Sequence, residues 1–192
     1  MNAGAVLKFL VASFFCAACA TAEAGYNVDV KKKSSFPDGV GTIAILPTAC
    51  PSTVNCVWLE KKLDQLLAKR PDIRVIPASA VGQAMLDESI SAFDDASRQL
   101  LAQKLSADSF MQVVVGHSGT DSNGAYGTMI GNSMFIGESE VSVGGLQVRI
   151  VAASDATVLL SATGHGKSEF RQPEGVLAKI FAEILVRAFP RK

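Results

Sequence analysis

Thr42-Ile43-Ala44-Ile45-Leu46-Pro47 is a near-continuous apolar run closed by proline. A strand with one wet face alternates, whereas an unbroken run suits a strand buried on both faces. From Thr53 to Lys69, Cys56, Leu59, Leu63, Leu66 and Leu67 recur at steps of three and four, the spacing of one helical face. Ser52 or Thr53 can cap its start, and Pro71 closes it. Trp58 falls at the edge of that face and reads as core packing. Ile73-Arg74-Val75-Ile76-Pro77 is a second short strand. Ser79 opens a brief helix through Ala84, Met85 and Leu86. Asp94-Asp95-Ala96-Ser97 opens another, carrying Leu100, Leu101 and Leu105, and Phe110 to Val115 is the third strand. Alternating strands and helices argue for a wound α/β layer.

The pattern then changes. Val141 to Val151 and Thr157 to Gly164 are extended runs, with Ser154-Asp155 as the turn of an antiparallel hairpin. In the first run Leu146, Val148 and Ile150 alternate with Gln147 and Arg149, one face dry and one wet. Pro173 and Glu174 suit the first turn of a closing helix. Leu177, Ile180, Phe181, Ile184 and Ala188 form its buried stripe. The expected fold class is α/β: a mixed β-sheet with helices packed on it, in the order β-α-β-α-α-β-β-β-α over residues 42–190. Ile45, Leu63, Val114, Ile150 and Ile180 are the expected core.

Residues 1–24 read as an export signal. Lys8 is followed by the apolar run Phe9 to Ala18, and Ala20-Thr21-Ala22 and Ala22-Glu23-Ala24 each offer an Ala-x-Ala cleavage site. The run is shorter than the ~20 apolar residues a spanning helix needs. Cys16-Ala17-Ala18-Cys19 approaches a lipobox, so lipidation of Cys19 competes with simple cleavage. Residues 25–41, with Lys31-Lys32-Lys33, Ser34-Ser35 and Pro37-Asp38-Gly39, read as a linker. Acidic and basic residues balance at 18 each, which gives no net pull toward nucleic acid. In an oxidising compartment Cys50 and Cys56 are expected to pair as a structural disulfide. The rival, a metal or redox pair, lacks the Cys-x2-Cys spacing and a nearby histidine.

Several segments resemble the superfamily of CsgG, the TolB N-terminal domain, LpoB and PelC. They are Ile43-Ala44-Ile45-Leu46-Pro47, Leu105-Ser106-Ala107-Asp108-Ser109-Phe110 running into Val113-Val114-Val115-Gly116, and Leu146-Gln147-Val148-Arg149-Ile150-Val151 with Ser154-Asp155-Ala156. A closing amphipathic helix completes the series, and the resemblance covers roughly Gly41 to Phe189. Ser106 stands where the superfamily often has Gly, and the Ala153–Thr157 turn lacks the Gly often found there. The resemblance implies a mixed sheet with packed helices. It also implies a non-enzymatic accessory of the periplasm or outer membrane that acts on protein partners in secretion, envelope assembly or wall synthesis.

Residues 116–145 form a glycine-rich insertion with Tyr126, Met129, Ile130, Met134 and Phe135 interleaved. Two readings stand side by side: a mobile surface loop, or a contact loop for a partner or membrane surface. Gly131-Asn132 is a candidate hairpin tip. Arms of about six residues fall short of the ~9–11 a spanning strand needs. Near-motifs fail. Gly164-His165-Gly166-Lys167-Ser168 lacks the first Gly of a P-loop, and Gly116-His117-Ser118 lacks the closing Gly of a nucleophile elbow. His117 and His165, both at strand ends, are the candidates for the alternative reading, a small exported enzyme. A lipoprotein regulator of a cell-wall synthase is the other alternative. No catalytic, metal or cofactor site is expected. The expected partners are envelope proteins, further copies of the chain, or a membrane surface.

Overall fold

The computed structural model describes residues 25–33, 36, 41–130, 133–168 and 171–190; for 117, 120–130 and 133–141 it describes the backbone only. Residues 1–24, read from the sequence as an export signal, and Cys19 within them lie outside the described residues. Six strands form one mixed sheet: β1 Tyr26–Lys32, β2 Thr42–Ile45, β3 Arg74–Ile76, β4 Ser109–Ile130, β5 Ser133–Ala152 and β6 Val158–Ser168. Their order is β1-β6-β5-β4-β2-β3. β2 lies parallel to β3 and β4, and the remaining pairs are antiparallel. Among the described residues four helices pack on it: α1 Cys56–Leu67, α2 Ala78–Asp87, α3 Asp95–Leu105 and α4 Pro173–Ala188.

β2 behaves as its sequence requires. Ile43 and Ile45 enter the core under α1 and α4, while Ala44 and Leu46 enter a second core under α2 and α3. On α1 the buried residues are Leu59, Leu63 and Leu67. Its N-cap is Asn55, not Ser52 or Thr53: the Asn55 side chain accepts from the Trp58 amide. α3 starts on a capping box in which Asp94 and Ser97 bond each other's backbone amides.

Three expectations need correction. The stretch read as a linker contains β1, whose Val28 is buried and whose length pairs with β6. Tyr26, Val28 and Val30 alternate with polar residues, a period-2 signal masked by the lysine run beside it. Lys32 is no free tether: its ammonium donates to the carbonyls of Arg187 and Ala188, 3.0 and 3.3 Å away. Val114 is not core. Val113 and Val115 are buried, and Val114 points to the other face, so the triple valine has one residue of opposite parity. Ile45, Leu63, Ile150 and Ile180 are buried as expected.

α4 lies against glycines. A methyl group at Gly164 would stand 2.2 Å from Ile180 Cγ2, and one at Gly144 2.9 Å from Leu177 Cδ2. The Tyr26 ring occupies the corresponding space at Gly166, 2.5 Å away. Elsewhere the chain lacks glycine where the backbone asks for it. Ser106 closes α3 in the left-handed region, with φ 51°, and Ala156 sits at φ 57° in the β5–β6 turn. Both lie in segments where the resemblance drawn from the sequence leads one to expect a glycine.

Gly164→Ala is therefore expected to lose about 1–3 kcal/mol through overpacking against Ile180, read by urea unfolding. Ser106→Gly should move the other way and gain about 1 kcal/mol, because a non-glycine side chain is strained in that region.

The Asp94 carboxyl is held below its usual range, first by the Ser97 backbone amide and then by the Ser97 hydroxyl. A depressed folded pKa stabilises above the ordinary carboxylate value, and the effect fades as pH falls through the folded value. Asp94→Ala should lower the thermal midpoint at neutral pH. The gap to the parent chain should shrink on acidification below about pH 4.

Candidate interaction surface

β4 and β5 pair from Ser109–Ala152 out to Ile130–Ser133. Among the described residues β6 accompanies β5 as far as Ser142, which pairs with Ser168. Beyond that point Asp121–Ile130 and Ser133–Val141 continue as a two-stranded hairpin with arms of ten and nine residues. The glycine-rich insertion is thus a hairpin and not a loop, and its arms exceed the six residues expected. Arm length alone would now satisfy a spanning strand. Charge argues otherwise. Between Asp121 and Glu138 the sequence is uncharged, but the paired rows from Tyr126–Gly137 to Ile130–Ser133 number five. They cover about 17 Å, roughly half of a ~30 Å hydrocarbon core.

Of the candidate contact residues, Met129 pairs with Met134, Tyr126 with Gly137, Thr128 with Phe135 and Ile130 with Ser133. Their side chains, and the tip residues 131–132, lie outside the described residues.

At the same end of the sheet, α1 and α4 lie side by side and leave a groove of about 580 Å³. Trp58, Leu66, Ala178 and Ala182 make it apolar, and Lys62, Arg171 and Lys179 stand on its rim. Trp58 is 42% exposed, against the expectation of core packing. Its position one residue off the Leu59–Leu63 stripe carries the ring to the groove wall. The Lys62 ammonium lies 5.9 Å from the ring centre. Lys179 pairs with Glu183 at 2.9 Å, and Glu174 accepts from the Asn55 amide at 3.1 Å. The Cys50–Cys56 disulfide forms as expected. It closes the loop whose last residue, Asn55, bonds α4 and caps α1, so the covalent link sets the groove's open end.

The histidines come together only in register. His117 and His165 both pair with Gly145, so their positions lie in one row, two strands apart. A bulge between Val115 and His117 sets that register. His165 is exposed. Ser118 pairs with Gly144, on the opposite face of the sheet from His165. Its hydroxyl is buried without a hydrogen-bond partner among the described residues, as is that of Tyr26 across Gly144 and Gly166 in the same row. A Ser118–His165 nucleophile and base pair is therefore not assembled. Among the described residues, no group of three or more His, Cys, Asp or Glu is placed to hold a metal ion. No helix among them is long and apolar enough to cross a membrane.

The sheet order and helix placement define an α/β fold of the PelC type. The chain is similar to the PelC dodecamer from Paraburkholderia phytofirmans, with 16% identity and a TM-score of 0.55 over 88% of this chain and 100% of that one. Lipoprotein GNA1162 from Neisseria meningitidis is also similar, at 17% identity and a TM-score of 0.50 over 77% of this chain and 96% of that one. The expected resemblance therefore holds at the level of the fold. No protein-family model matches the sequence, and no curated protein sequence matches it.

The Cys50–Cys56 link closes a small loop, so Cys50→Ser with Cys56→Ser should lower stability by about 2 kcal/mol. Chain processed beyond Cys19, unfolded without reductant, should show no free thiol.

Proposed function

We propose that this chain is an exported accessory protein of the cell envelope that acts by binding proteins, itself included, in secretion or envelope assembly. The observation that carries the reading is the two-stranded hairpin standing off the sheet. It is an extension without a third strand or helix against it among the described residues, and a lone hairpin is marginally stable in water. Its exposed strand edges and apolar sequence call for cover by another surface. The export reading of residues 1–24 agrees with this role. So does the fold's likeness to a PelC protein that is a dodecamer and to a neisserial lipoprotein.

The full chain expressed in a bacterial host tests the proposal. Intact mass should show cleavage after Ala22 or Ala24, or a lipid-modified Cys19, in an envelope fraction. Light scattering of the processed protein should give a defined multiple of the chain mass. An unprocessed chain in the cytoplasm would refute export, and a monomer at every concentration would refute self-association. A lipid-modified Cys19 would favour the wall-synthase regulator over a freely diffusing accessory.

A further inference from the structure

We infer that the groove between α1 and α4 receives the β4–β5 hairpin of a second copy of this chain. The inference rests on the self-association proposed above and names the surfaces that carry it.

Three observations fit these two surfaces together. The first is charge. From Leu105 to Val148 the sequence has no Lys or Arg, and the hairpin arms carry only Asp121, Glu138 and Glu140 as charged residues. The groove carries more cations than carboxylates: Lys62, Arg171 and Lys179 line it against Glu174, which already accepts from the Asn55 amide. Lys62 and Arg171 stand beside it with no carboxylate partner among the described residues, whereas Lys179 is paired with Glu183. Opposite charges across an interface fix register and speed encounter.

The second is apolar matching. Trp58 stays 42% exposed over a floor of Leu66, Ala178 and Ala182. Exposed aromatic residues beside a cation mark interface anchors. The hairpin sequence offers Tyr126, Met129, Ile130, Met134, Phe135 and Ile136 within one uncharged stretch.

The third is reach. The arms span about 30 Å at strand rise, beyond the width of the chain's own helix pair. The hairpin leaves the sheet at the Ser142–Ser168 row, and the first turn of α4, with Glu174 and Gly175, lines the groove just after it. Root and receptor thus sit at one end of the molecule but on different surfaces. Such a contact is head to tail, and repeated by rotation it closes into a ring.

Charge reversal with rescue tests the inference. Lys62→Glu with Arg171→Glu should weaken assembly by at least about tenfold, since like charges would then face each other across the interface. Glu138→Lys with Glu140→Lys should do the same. Combining all four should restore assembly. Sedimentation across a concentration series reads the oligomer, and thermal midpoints check that each variant folds. Trp58 is the only tryptophan, so its emission should shift to shorter wavelength as the parent chain assembles and should stay red-shifted in either reversed pair. Assembly indifferent to both reversals, or weakened without rescue, overturns this inference and leaves self-association standing. A parent chain that stays monomeric overturns both.

Discussion

The helix α4 can cross the sheet only where the sheet has no side chains. Gly144 and Gly164 leave the space that Leu177 and Ile180 fill, and Gly166 leaves the space for the Tyr26 ring. Val176, Leu177, Ile180 and Phe181 are fully buried as a result. Close packing of this kind tolerates little added volume. α4 in turn forms one wall of the groove and covers β1, β6 and β5. The seat of the helix that walls the candidate interaction surface is thus set by glycines in the two strands β5 and β6.

The far end of α4 is fixed by cations. Its last carbonyls have no helical partners. Lys32 donates to those of Arg187 and Ala188, while Arg70 donates to the Phe189 carbonyl just past the helix and to that of Leu185, which also accepts from the Phe189 amide. Arg187 reaches back to the Val28 carbonyl at 2.6 Å. Arg70 is only 6% exposed, and its Asp72 partner and the helix carbonyls satisfy the charge. Positive charge here also matches the helix dipole. The edge strand β1 and the turn after α1 are both tied to one helix end, which holds the two ends of the sheet to a common frame.

The fold was legible where one period governs a segment. The β2 run, the α1 and α4 stripes and the Leu146 strand follow from apolar spacing alone. Val114 was misassigned because three consecutive valines carry no phase, and only pairing reveals which one turns outward. β1 was missed because a lysine run resembles a tether, although Lys32 is a helix cap and Tyr26, Val28 and Val30 alternate. The Leu105–Asp108 motif gained a reason only in three dimensions. Asp108 accepts from the Thr42 amide at 2.7 Å and donates its own amide to the Thr42 carbonyl, so it registers β2 against the end of α3. The groove was not legible, because it is made by two helices more than a hundred residues apart. Its one signal was an aromatic residue out of phase with the α1 stripe.

Consistency among propensity, pattern and packing holds through most of the chain and breaks at the β4–β5 extension. There glycines weaken the strands, no third strand or helix among the described residues lies against the hairpin, and every charge is acidic. A segment selected only for folding would be shorter, since among the described residues α4 and β6 cover β5 only up to the Ser142–Ser168 row. Local rules that fail without gain to the fold tend to mark functional surfaces. The groove breaks the opposite rule, with Trp58 left exposed beside Lys62, which has no carboxylate partner among the described residues. The two violations have opposite charge and a shared need for apolar cover. Each therefore supplies what the other lacks, and two copies of the chain can remove both at once.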